Sequence, residues 1–97
     1  MHIQTPHKSS KSVALSKVKD ALDEARPMAS QHQVQITEER WEEETLHFKV
    51  LLQGKEVMGT LQVTDTDFVI DAKLPLLWRI FEGKIERMIA EQAQALG

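Results

Sequence analysis

Four histidines, fifteen acidic residues and a group of serines are the side chains in this sequence whose types allow chemistry. A metal centre needs imidazoles or carboxylates spaced to converge, as two histidines four residues apart do on one helical face. His2, His7, His32 and His47 offer no such pair, and His47 alternates onto the polar side of a strand-like run. They read as solvent-facing or turn histidines. Asp65-Thr66-Asp67 has the outline of a cation loop but lacks the glycine and the distant bidentate glutamate of an EF-hand. Asp and Thr are also what a hairpin turn prefers. Ser9, Ser10 and Ser12 stand near His7, yet there is no Gly-x-Ser-x-Gly elbow, and serines ahead of a helix are ordinary caps. Glu38, Glu39, Glu42, Glu43 and Glu44 crowd five carboxylates into seven residues. Such pairs divide acid and base roles only when burial separates their ionisation, and a hairpin tip is wet. The tip reads as a solubilising surface, with an electrostatic docking patch as the other reading. No catalytic residue, metal ligand or cofactor site emerges, and the expectation is a protein that is not an enzyme.

The bulk properties narrow the class. A chain of 97 residues makes a single domain, 1–97, with one core and little spare interior for a deep reaction cleft. A net charge of −3 argues against nucleic acid, whose phosphates require a basic face. Cysteine is absent, which removes disulfides, thiolate metal sites and a thiol nucleophile together. The first residues lack the apolar region of a signal peptide, and no uncharged apolar run approaches the roughly 20 residues that span a bilayer. The expected setting is cytoplasmic.

Hydrophobic spacing supplies the elements. A short strand covers His2 to Thr5, ended by Pro6 and suited to a sheet edge. Ser9 and Ser10 are cap candidates for a helix from about Lys11 to Arg26, where Ala14, Leu15, Val18, Ala21, Leu22 and Ala25 make one apolar stripe. Pro27 is expected to end it at Arg26 or to allow one ragged turn beyond. From Gln33 the period becomes two, in four runs broken by short turns, which predicts an antiparallel meander apolar on one face. A hairpin through Glu43 and Glu44 sets Trp41 opposite Leu46, but Trp41 has the wrong parity relative to Ile36. Either a bulge lies between Thr37 and Arg40, which buries the indole and is the favoured reading, or Trp41 sits on the open face. Pro75 stops the last strand, and Leu76 to Leu96 reads as one long helix whose Leu77, Trp78, Phe81, Ile85, Met88, Ile89 and Leu96 fill an arc of about 120°. Gly83 has no evident purpose there beyond a close packing contact. The fold class is α+β, β-α-β-β-β-β-α: a curved antiparallel sheet with both helices packed on one face, the last helix serving mostly as roof.

Apolar residues remain once that core is filled. Leu51, Met58 and Val69 have open-face parity on three consecutive strands, and Leu76 and Ile80 lie off the main helical stripe. Together they are the candidate interaction surface, since a contiguous exposed apolar patch marks an interface whereas scattered residues mean nothing. A homodimer contact through the open sheet face is one use of it. A pocket between the sheet and the last helix would instead be lined by Phe48, Leu61, Trp78 and Phe81.

Four stretches, IQTPHKSS, RWEEETLHF, DTDFVIDAKLP and GKIERMIAEQ, span almost the whole chain. In their order and spacing the sequence resembles the small polyhydroxyalkanoic acid system proteins of the granule-region family. One departure is Glu43, where the family resemblance leads one to expect glycine in the hairpin turn. The resemblance implies a bacterial cytoplasmic protein of polyhydroxyalkanoate storage, with a granule or granule-associated protein as partner and the granule surface as its place. It carries over no catalytic or binding residue. Two functions stay open: a non-enzymatic accessory or interaction module, and a small carrier of an acyl or other apolar ligand.

Overall fold

The computed structural model describes residues 1–96, with Leu77 described in its backbone alone, so the expected place of the Leu77 side chain in the buried stripe lies outside the described residues. The elements run β1 (His2–Pro6), α1 (Lys11–Gln31), β2 (Val34–Glu42), β3 (Thr45–Leu52), β4 (Lys55–Val63), β5 (Asp67–Lys73), a 3-10 turn (Leu76–Phe81) and α2 (Glu82–Leu96). The strands form one open antiparallel sheet in the order β1-β5-β4-β3-β2. Strands two to five are the expected meander, and β1 is an edge strand as its Pro6 requires, because proline cannot donate to a neighbour on that side. α1 carries the chain across one face to the far edge, and α2 returns along β1.

The core sits where the two helices meet that face. Ala14 and Val18 of α1, Val63 and Phe68 of the sheet and Ala93 of α2 form its buried centre, with Leu15, Leu22, Trp41, Leu61 and Leu96 packed around it. Trp41 reaches it through the expected bulge. Ile36 pairs with Val50 and Glu38 with Lys49, so Thr37 is the extra residue, and Trp41 lands opposite Leu46. The Thr37 hydroxyl donates to the Lys49 carbonyl at 3.3 Å, which returns a partner to the interrupted ladder. Lys19 of α1 lies 5.1 Å from the Trp41 ring centre, a cation over an aromatic face.

His7 ties the first strand to the last. It is buried, its Nε2–H donates to the Thr64 carbonyl at 2.7 Å, and its Nδ1 accepts the Ser9 backbone N–H at 3.3 Å. Its ring packs on Phe68 with centroids 5.1 Å apart. Thr64 in turn caps its own turn, accepting the Asp67 backbone N–H at 2.9 Å through its hydroxyl. The Pro-His and Asp-Thr-Asp motifs are therefore two halves of one clasp. His7 belongs with the turn histidines, but it is not exposed to solvent.

Three expectations are corrected. α1 does not stop at Arg26; it passes through Pro27 to Gln31. Pro27 and Asp23, whose carbonyl loses its amide partner there, both face water, so solvent takes the place of the missing bond. The last helix is not uniform: residues 76–81 wind as a 3-10 turn, begun by a bond from the Trp78 N–H to the Pro75 carbonyl at 2.9 Å. Gly83 has open space where a Cβ would stand, so no close contact explains it. Gly59 is the glycine that matters. A Cβ there would lie 2.3 Å from the Asp71 carbonyl oxygen and 2.8 Å from the Ala72 Cα.

Urea unfolding should therefore separate the two glycines: Gly59→Ala lowers stability by about 1–3 kcal/mol through overpacking, and Gly83→Ala raises it by up to about 1 kcal/mol through helix propensity. His7→Ala, which orphans the Thr64 carbonyl and the Ser9 amide, should cost about 1–3 kcal/mol in the same assay.

Candidate functional site

Antiparallel pairing gives the molecule two unlike ends. The Glu43-Glu44 hairpin and the Thr64–Asp67 turn lie at one end, and the Gln53-Gly54 hairpin and the exit of β5 lie at the other. The first end is acidic and braced by α1. Lys11 donates to Glu44 at 3.1 Å and lies 3.6 Å from Asp65. The hydrogen bond to Glu44, then the charges of Glu44 and Asp65, raise the Lys11 pKa above its ordinary 10.5. Stability from this pair is complete below that ordinary value and is lost only as pH climbs through the raised one, so it is constant across the neutral range. Farther along β2, Arg26 of α1 bridges Glu39, to which its Nε donates at 3.1 Å, and also pairs with Asp23. Bonding to Glu39, and next to Asp23, pushes its pKa further upward. Arg40 pairs with Glu42 at 3.2 Å. Of the five carboxylates in the acidic run, Glu39, Glu42 and Glu44 thus have internal cations. Glu43 stands at φ +56°, a left-handed position for which glycine is the usual residue.

The second end is apolar. Leu76 is 76% exposed, Ile80 82%, Phe81 54% and Met88 58%. Leu76 and Ile80 lie off the buried stripe as expected, but Phe81 and Met88, expected within it, are exposed, whereas Trp78, Ile85, Ile89 and Leu96 are half-buried as a roof requires. Residues 76–81 wind as a 3-10 turn, whose three residues per turn set Trp78 and Phe81 one above the other before α2 begins at Glu82. α2 then lies against β1 and touches α1, and the far half of the sheet keeps an uncovered margin, with Val50, Leu51 and Leu52 half-buried.

A groove of about 460 Å³ opens in that margin. Trp78, Phe81, Ile85 and Met88 form one wall, and Leu52 and Gln53 of the hairpin form the other. His32 and Gln33 close one side, and Lys84 is the cation at its edge. A larger hollow of about 650 Å³ follows the β2 edge between Arg26 and Glu39, but those groups already satisfy each other, and its lining is polar. The apolar groove is the better candidate site, because ligand pockets combine an apolar lining with a few polar groups.

The predicted positions are distributed as follows. Leu51 and Met58 are diagonal neighbours on the open face, since Leu51 pairs with Glu56 and Lys49 with Met58. Val69 does not join them: it pairs with Gln62, four residues from Met58 and about 13 Å away along the strand, with the Thr60 and Asp71 pair between. Leu76 and Ile80 project at the same end of the sheet as Met58, whose β5 partner is Lys73. Of the expected pocket lining, Trp78 and Phe81 border the groove. Leu61 packs into the core instead, and Phe48 pairs with Glu39 and Gly59, about 13 Å along β3 from Leu52. Sequence reasoning missed Leu52, Ile85 and Met88 as pocket walls, having assigned them to the core. The signal available was Lys84, a cation directly before Ile85 on the flank of the apolar stripe. Among the described residues no group of three histidines or acids converges to hold a metal, and no helix is long and apolar enough to cross a membrane.

A family model described as polyhydroxyalkanoic acid system protein, of the granule region, matches residues 1–96. No curated protein and no solved structure matches the chain.

Because the apolar end is surface and not core, Phe81→Ser and Met88→Ser should each leave urea stability within about 1 kcal/mol of the parent, whereas Phe68→Ala should lower it by about 3–5 kcal/mol.

Proposed function

The chain belongs to the polyhydroxyalkanoic acid system family of the granule region, and from that premise we propose that it is a non-enzymatic accessory protein that docks at polyhydroxyalkanoate granules in the cytoplasm. The observation that carries this reading is the clustering of Leu76, Ile80, Phe81 and Met88 as exposed side chains at one end of the sheet. Exposed apolar residues gathered at one end mark an interface where they join, whereas scattered ones do not. Every 100 Å² removed from water contributes about 2.5 kcal/mol before association costs. Binding in place of turnover also fits the histidines. His7 has both ring nitrogens engaged by backbone groups, and His2 pairs with the exposed Asp71 at 2.6 Å. The opposite, acidic end suits a solvated outer face.

The groove favours a second reading, a small carrier that holds an acyl or other apolar ligand beside Trp78 and Phe81. The two readings share Phe81 and Met88 but are separable at Leu76 and Ile80, which lie outside the groove lining.

Sedimenting native granules after incubation with purified protein tests the first reading. The protein should pellet with the granules, and the double variant Leu76→Ser, Ile80→Ser should fall several-fold in the pelleted fraction while keeping its circular dichroism. Complete recovery of the parent protein in the supernatant would overturn granule docking. Pelleting lost on protein-stripped granules would identify the partner as a granule protein and not the polymer surface. Sedimentation velocity on the same sample reads out a homodimer directly.

A further inference from the structure

We infer that the groove at the apolar end is a site for a medium-chain carboxylic acid, with the tail along Trp78 and Leu52 and the carboxylate at Lys84; this rests on the carrier reading and gives its ligand a chemical class. Charge complementarity is the first argument. Lys84 is exposed, borders the groove and makes no ion pair among the described residues, whose pairs are formed by other cations. No aspartate or glutamate lines the groove, although the chain carries fifteen of them and a net charge of −3. An unneutralised ammonium at the edge of an apolar trough selects an amphiphile with an anionic head. A carboxylate or phosphate meets that need, and the single cation favours the single charge of a carboxylate over a doubly charged phosphate.

The walls set the rest of the ligand. Trp78, Phe81, Ile85 and Met88 face Leu52 across the trough, and methionine and aromatic side chains adapt to a flexible alkyl chain. A ten-carbon acid has twelve heavy atoms; if each occupies about the share of a liquid water, roughly 30 Å³, the molecule takes up about 360 Å³. That fits within the 460 Å³ of the groove, whereas a four-carbon acid leaves most of it wet. The amides of Gln33 and Gln53 stand among the lining groups as donors for the head or for a polar substituent near it.

The test uses the full chain and three probes: decanoate, its methyl ester and butyrate, each followed by tryptophan fluorescence and by calorimetry. Decanoate should bind saturably at one site, with butyrate weaker by more than about tenfold for its lost methylenes. Lys84→Gln should weaken decanoate by about tenfold, the loss expected for a charged hydrogen bond, and leave the ester unchanged. Lys84 is exposed, so the variant folds, and its circular dichroism confirms that. If the ester binds as tightly as the acid and Lys84→Gln changes nothing, the carboxylate assignment is overturned and the carrier reading survives. If neither acid nor ester binds, both are overturned.

Discussion

The architecture depends on joining its first strand to its last. β1 is five residues long and makes its ladder with β5, more than sixty residues away in sequence. Closing so long a loop costs only slowly more entropy than closing a short one, but a five-residue edge strand has few bonds with which to offset it. His7 supplies the remainder by burying an aromatic ring on Phe68 while satisfying both nitrogens on backbone partners. Once β1 is fixed beside β5, α1 must traverse the whole sheet to start β2 at the opposite edge. α2, leaving β5, then finds β1 as its bed. The Met1 amino group reinforces the same junction, donating to the Ala72 carbonyl at 2.9 Å and lying 2.9 Å from Glu82 at the start of α2.

That arrangement also explains where the molecule is left open. α2 follows β1 and α1 covers β2 and β4, so the helices converge at the end that holds Val63, Phe68 and Ala93. At the other end the chain must turn from sheet to helix within a few residues of Lys73. It does so through Pro75 and a tight 3-10 turn that shows Leu76 and Ile80 to solvent. The groove is the gap left beneath this crossing. Core and candidate site are thus opposite ends of one sandwich.

Much of this architecture was legible in the residues, because strand parity and helical stripes report burial directly. The meander, the Ser10 cap and the bulge before Trp41 all follow from local rules, and the cap is seen in the Val13 N–H donating to the Ser10 hydroxyl at 3.2 Å. The misreadings share a different origin. Pro27 sits in a helix because Asp23, whose carbonyl it orphans, faces water, which depends on the final orientation of α1 and not on the local sequence. Phe81 and Met88 have core-like spacing yet are exposed, and nothing in LPLLWRIF announces the tighter turn of residues 76–81. Val69 shares parity with Met58, but parity fixes a face and not a distance along it; hairpin register decides that. Lys84 was visible as a charge on a greasy helix, yet its significance required knowing that no carboxylate lines the groove beside it.

The separation of a water-seeking, acidic extremity from an oil-seeking one gives the molecule a head and a tail. Any body that takes up the apolar tail is left wearing an outer layer in which Glu42, Glu43, Glu44, Asp65 and Asp67 outnumber Lys8, Lys11 and Arg40. Particles coated this way repel one another at short range, within a Debye length of about 8 Å in physiological salt. So oriented, the proposed docking would present charge outward and bury oil inward.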